Sequence, residues 1–169
     1  MLMLRTCFFC LVSLLLTRSA SAQQAIVTYA GNSGNETFYD VVQLSDQTFL
    51  VCGYATDLNW LPVGVPTTVL PATGINNGLG TSKYGYLLHL SSDLSQILHI
   101  LHFPQGAVED IRFIKTSNVP GEPTGNLYIS GNTLDTEPND GGYFIAKLDN
   151  NFVNGVPTTL SWVRRVWAE

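Results

Sequence analysis

Cysteine is nearly absent from this chain of 169 residues: Cys7 and Cys10 fall within the first ten positions and Cys52 stands alone beyond them. Charge is scarce as well, at 12% of residues, with only eight basic side chains against thirteen acidic ones. No apolar run reaches the roughly 20 residues that a membrane-spanning helix needs. The longest, Cys7 to Leu16, is interrupted by Ser13. Helical periodicity is missing throughout. Beyond residue 22 there is no Gly-x-Ser-x-Gly elbow, His-Glu-x-x-His pair, phosphate-binding glycine loop or Cys-x-x-Cys pair. These absences exclude a disulfide framework and a helical fold, and they leave no familiar catalytic motif.

What the chain does have begins at its first residues. Arg5, the apolar run, and small residues ending Ala20-Ser21-Ala22 form the pattern of a secretory signal peptide over residues 1–22, with cleavage before Gln23. Secretion or cell-surface display is the corresponding expectation. Loss of Arg5 and Arg18 leaves six basic residues against thirteen acidic ones, a net charge of −7. Nucleic acid is therefore not an expected partner, since its binding needs a basic footprint. Cys52 follows Phe49-Leu50-Val51 and reads as a small buried hydrophobe without a disulfide partner.

From Gln24 onward, short β-branched and aromatic runs alternate with Gly, Asn, Asp and Pro, the signature of an all-β protein. The pattern predicts strands over 24–29, 39–44, 48–54, 85–90, 96–103, 108–115, 126–132, 142–148 and 159–167. The strands repeat. Asp40-Val41-Val42 matches Asp110-Ile111-Arg112 at an offset of 70. Phe49-Leu50-Val51-Cys52-Gly53 matches Leu127-Tyr128-Ile129-Ser130-Gly131 at 78, and Gly85 to Leu90 matches Tyr143 to Leu148 at 58. The shifting offsets put eight extra residues in the first hairpin of the second copy, around Val119 to Pro123. They put twenty more in the second connection of the first copy, between Asp57 and Lys83. A four-stranded unit of about 70 residues, repeated, has the form of a propeller blade.

The phrases GNLYISGNT…GGYFIAKLDNNF and ILHFPQGAVEDIRFI resemble the SBBP-type beta-propeller repeat of secreted bacterial proteins, and FYDVVQLSDQTFLVCGYATD resembles it with Gln47 and His89 where the repeat has glycine and lysine. The resemblance implies propeller blades of four antiparallel strands: a leading outer strand over 23–34 that closes a ring, one blade over 35–104 carrying the insertion 57–83, and a second over 105–169. Two blades make an incomplete ring and leave two apolar sheet faces exposed, so the remaining blades of a longer chain are expected as partners. A self-contained two-sheet β-sandwich is the alternative.

Candidate sites follow from residue chemistry. Asp40 and Asp110 read as equivalent residues at the start of the innermost strands, placed either to accept backbone N–H groups between blades or to reach a channel and bind a cation or sugar. Trp60, in the apolar insertion, can pack over a blade edge or offer an aromatic contact to a glycan or protein. Asp135, Glu137, Asn139 and Asp140 supply oxygen ligands for a loosely held Ca²⁺, but the same residues also make plain turns. His89, His99 and His102 read as partly exposed rings, with 99 and 102 on opposite sides of a strand. The functional expectation is a binding and scaffolding module for a glycan or protein ligand. The alternative is part of a propeller-based extracellular enzyme, a carbohydrate-active hydrolase or lyase, with catalytic groups outside this chain.

Overall fold

A computed structural model of the chain describes residues 35–73, 75, 82–117, 126–133, 142–148 and 160–166. The expected signal peptide 1–22, the strand expected within 23–34, the insert expected around 119–123 and the expected Ca²⁺ ligands Asp135, Glu137, Asn139 and Asp140 lie outside the described residues.

Among the described residues nine strands build two sheets, and no helix is long and apolar enough to cross a membrane. β1 (Glu36–Gln43), β2 (Phe49–Ala55), β4 (Tyr84–Leu90) and β5 (Ile97–His102) form an antiparallel meander. β3 (Thr67–Val69) adds a parallel fifth strand beside β5. The second sheet is the meander β6 (Phe113–Thr116), β7 (Leu127–Thr133), β8 (Gly142–Leu148) and β9 (Leu160–Val166). The sequence predicts these strands to within a few residues, with two exceptions. β3 was not expected, because its three residues sit in a Pro- and Gly-rich stretch. Residues 108–112 are not strand; they approach β6 with Glu109 N–H donating to Asn132 O and Arg112 N–H to Ser130 O.

Between the sheets lies the main core. Leu50, Cys52, Leu87, Leu101 and Phe103 of the first sheet are buried in one cluster with Ile111, Ile114, Ile129 and Phe144 of the second unit. Phe103 and Phe144 meet edge-on with ring centroids 5.5 Å apart. The opposite face of the first sheet is also covered. There Tyr86, Leu88 and Ile100 are buried in a second cluster, and Leu58, Trp60, Leu61 and Val65 of the insertion pack against it. Leu70 and Ile75 carry the same insertion into the main core. The expectation of two exposed sheet faces is therefore corrected in part: the insertion covers the outer face of the first sheet over β4 and β5, Phe38 and Val41 of β1 stay exposed on that face, and the outer face of the second sheet is exposed. The burial patterns record this difference. β4 is buried at six consecutive positions, as a strand covered on both faces must be, whereas β8 alternates buried and outward residues.

Strand pairing also corrects the repeat. Val41 pairs with Val51 and Ile114 with Ile129, so a β2-to-β7 offset of 78 places Val41 opposite Ile114 in the superposed units, an offset of 73. The second copy's first hairpin is then five residues longer (78 minus 73), not eight. Asp40 corresponds to Phe113, and Asp110 to Thr37; the two aspartates are not equivalent. Matching identical carboxylates displaced the alignment by three residues. The β4–β5 register shift at His89/Leu90 recurs in β8–β9 at Lys147/Leu148, so the copies share their irregularities as well as their strands.

The three histidines are buried, not partly exposed. His89 and His99 are cross-strand partners on β4 and β5. His89 Nε2 shares a hydrogen bond with Thr48 Oγ1 at 2.8 Å, and His99 Nε2 one with Thr68 Oγ1 at 2.9 Å. Thr68 belongs to β3, which explains the burial: the unforeseen strand covers the edge where His99 lies. Burial lowers both imidazole pKa values below 6.5; His89 lowers that of His99 further, while Asp46 opposes the shift at His89. A base whose folded pKa is depressed takes up its proton first in the unfolded chain, so stability present above pH 6.5 is lost as pH falls through that value. We expect the urea midpoint to hold between pH 8 and about 7 and to drop by about pH 5.5, with His99→Asn shrinking the drop. A midpoint that is flat or rising toward acid would contradict the buried pair.

Candidate binding seam between the sheets

The first strands of the two units meet edge to edge, and the polar residues gather at this seam. An edge strand exposes N–H groups that need acceptors. On β6, the Ile114 N–H donates to Asp40 Oδ2 at 3.1 Å, and just before it the Ile111 N–H donates to Gly53 O at 3.3 Å. Asp40 Oδ1 accepts from Val41 N at 2.9 Å, and Lys115 Nζ lies 3.6 Å from its Oδ2. Asp40 is thus a clasp across the sheets. Asp110 works within the second unit. Its Oδ1 accepts from Asn132 N at 3.0 Å, and its Oδ2 from Arg112 Nε at 3.0 Å and Asn132 Nδ2 at 3.2 Å. Only 2% of this carboxylate is exposed, which is tolerable because each oxygen is hydrogen-bonded and a guanidinium supplies the countercharge.

Around these two carboxylates the β1 bulge and the approach to β6 bring side chains together. β1 shifts register between Phe38 and Asp40, which leaves Tyr39 as the extra residue. Arg112 is its counterpart in the second unit, and the guanidinium lies 5.2 Å from the Tyr39 ring centroid. Tyr39 contacts Tyr54 at 6.1 Å, and Lys83 Nζ sits 4.5 Å from the Tyr54 ring while donating to Glu109 Oε1 at 2.7 Å. Two aromatic rings, each with a cation on its face, therefore share one stretch of surface. Tyr39 is 40% exposed. Burial and the charge of Asp110 raise its hydroxyl pKa, against Arg112 and Lys83, so it stays a neutral donor and acceptor. The hydrogen bond to Glu109 raises the pKa of Lys83, and that to Asp110 raises the pKa of Arg112, so both remain cationic.

Of the sequence candidates, Asp40 and Asp110 lie at this seam and Trp60 does not. Trp60 is half-buried in the second apolar cluster; its Nε1–H donates to Asp57 O at 3.1 Å and its ring meets Tyr86 edge-on at 5.8 Å. Asp135, Glu137, Asn139 and Asp140, the expected Ca²⁺ ligands, fall outside the described residues. Among those residues no three or more metal-binding side chains cluster. Cys52 is buried and its thiol is pushed up to about 12, chiefly by desolvation, so it is protonated and unreactive near neutral pH. Tyr39, Tyr54, Lys83, Glu109, Arg112 and Asn132 were missed by sequence reasoning. Their only sequence signal was the density of aromatic and charged residues at strand ends, because the β1 bulge and the strand pairing that bring them together are invisible in a linear pattern.

No family model matches the chain, and no curated protein matches it.

Proposed function

We propose that the chain is an exported β-propeller-type module that binds a glycan or protein ligand at the seam between its two units. The observation supporting this most directly is the pair of ring-and-cation stacks, Tyr39 with Arg112 and Tyr54 with Lys83, displayed on one surface. Tilted tyrosine rings present apolar faces to the C–H side of a sugar or to an apolar side chain, and their hydroxyls and the flanking N–H groups hydrogen-bond its polar rim. Asp40, still 23% exposed, is a further acceptor at the margin, and buried Asp110 fixes Arg112. The apparent signal peptide supports secretion or surface display, and the stacked repeat supports the propeller reading. Trp60 offers a second aromatic contact away from the seam.

The test is binding of the full chain to a panel of immobilised neutral and acidic polysaccharides. Tyr39→Ala combined with Arg112→Ala is expected to weaken retention about tenfold or more, roughly 1.4 kcal/mol. The urea midpoint of Tyr39→Ala alone should move far less than that of core variants, whereas Arg112→Ala adds the cost of leaving buried Asp110 without its countercharge, so retention is compared at a urea-free condition where each variant is folded. Equal retention of the double variant and the parent, or no retention of the parent by any polysaccharide or surface protein, would remove the seam from consideration.

A further inference from the structure

We infer that the ligand of the seam is an acidic glycan, held through the carboxylates of its uronic acid residues by Arg112 and Lys115. This names the ligand class of the binding site proposed above and rests on that reading. Basic residues are few beyond residue 22, six against thirteen acidic ones, yet Lys83, Arg112 and Lys115 all lie at the seam. The way the charges face matters more. In the pair of Arg112 with Asp110 the cation is 47% exposed and the carboxylate 2%; in that of Lys115 with Asp40 the values are 74% and 23%. Lys83 and Glu109 are exposed to similar extents. The carboxylates are tucked in and two of the three cations project, so a ligand arriving from solvent meets local positive charge on an otherwise acidic protein.

Hydrogen-bonding capacity points the same way. Asp110 is satisfied largely by Asn132, and Asp40 by the backbone N–H groups of Val41 and Ile114, so the acids do not use up the donors of the cations. Arg112 commits its Nε–H to Asp110, and its Nη1 and Nη2 groups have no hydrogen-bond partner among the described residues. Two contacts fix that fork: Asp110 holds Nε, and the Tyr39 ring, 5.2 Å from the guanidinium carbon, holds the plane. A guanidinium held in this way can meet a planar carboxylate through two parallel N–H bonds with little ordering left to do. Lys115 lies beside Asp40, the residue after Tyr39 on β1, so the two cations stand against consecutive positions of one strand and can take carboxylates of neighbouring sugars. The rings specify a sugar. Tyr39 and Tyr54, 6.1 Å apart and tilted by 39°, offer apolar surface to the C–H face of a pyranose, and a uronic acid carries its carboxylate on that same ring. An acidic peptide brings the carboxylate with only a short methylene stem for the tyrosines.

The test is retention of the full chain, in EDTA, on immobilised polygalacturonate, alginate and hyaluronate, each beside its methyl ester, with dextran sulfate and poly-glutamate alongside. The ester keeps the sugar and removes the charge. At least one uronate polymer is expected to retain the protein about tenfold better than its ester, and raising NaCl from about 0.05 to 0.5 M should weaken that retention about threefold or more. Lys115→Gln, at an exposed position, should cut uronate retention about threefold with the urea midpoint nearly in place. Arg112→Lys keeps a cation against Asp110 and loses the fork, and should cut it about tenfold while retention on the ester stays as it was. Equal retention on acid and ester, retention of both variants like the parent, or retention only on dextran sulfate or poly-glutamate would overturn the inference. Retention on neutral polysaccharides alone would overturn it and leave the seam standing as a glycan site. Retention on no polysaccharide would overturn it too, and the seam would then stand or fall with protein ligands.

Discussion

Phe144→Ala is expected to lower unfolding free energy by about 3 to 5 kcal/mol, a large part of the 5 to 15 typical of a domain. Phe144 is 1% exposed on β8, in the core between the sheets, and its ring meets Phe103 edge-on at 5.5 Å and 78°. Truncation removes the ring that the second sheet seats on the first, and backbone hydrogen bonds on both sides keep the strands from closing the cavity. Phe113→Ala makes the comparison. Phe113 projects from the other face of the same sheet and is more than half exposed, so its removal should cost about 0.5 kcal/mol or less. Urea unfolding followed by far-ultraviolet circular dichroism measures both. Equal losses for the two variants would mean that the sheets do not share a core.

How far the sequence carried the fold depended on whether the deciding force was local. β8 was legible to the residue: Gly142–Leu148 alternates apolar and outward positions, and the pleat turns that alternation into two faces. Tyr84–Leu90 was equally clear as a strand, and its continuous burial fits the near-unbroken apolar run. β3 was not legible, since Thr67-Thr68-Val69 has no periodicity of its own and is strand only because β5 offers it an edge: Leu70 N–H donates to His102 O and Ile100 N–H to Pro66 O. The buried state of His99 follows from that tertiary event. Asp40 and Asp110 were rightly chosen as residues with structural consequences and wrongly taken as equivalent, because carboxylate identity outweighed the strand register that only pairing reveals. The seam depended on the same hidden quantity. Tyr39 is the extra residue of the β1 bulge and Arg112 lies in the non-strand approach to β6, and neither feature leaves a trace in composition.

Gly53→Ala tests the fixed point of that seam. Gly53 pairs with Phe38 just before the β1 register shift, and its carbonyl also accepts the Ile111 N–H of the second unit. A Cβ built there would collide with the backbone carbonyl oxygen of Thr37 and lie 3.1 Å from the Tyr86 hydroxyl. A flexible side chain could yield, but the Thr37 carbonyl is part of the ladder, so β1 as a whole must move. We expect a loss of about 3 kcal/mol, toward the upper end for an inserted methyl group. Gly131→Ala should behave alike, since its Cβ would collide with the carbonyl oxygen of Asp110, the residue that corresponds to Thr37. The two variants separate in their second effect. Moving β1 displaces Tyr39 and Asp40 together, so Gly53→Ala should weaken ligand retention and the Ile114 clasp at once, whereas Gly131→Ala should first release the Asn132 bonds to Asp110 and free Arg112. Hydrogen exchange at the Ile114 and Asn132 amides distinguishes them: faster exchange at Ile114 in the first variant and at Asn132 in the second. An alanine at 53 that leaves the urea midpoint and both amides unchanged would show that β1 can shift without cost. Two glycines at the same crossing would then be coincidence, not a requirement of the close approach of the first two strands in each unit.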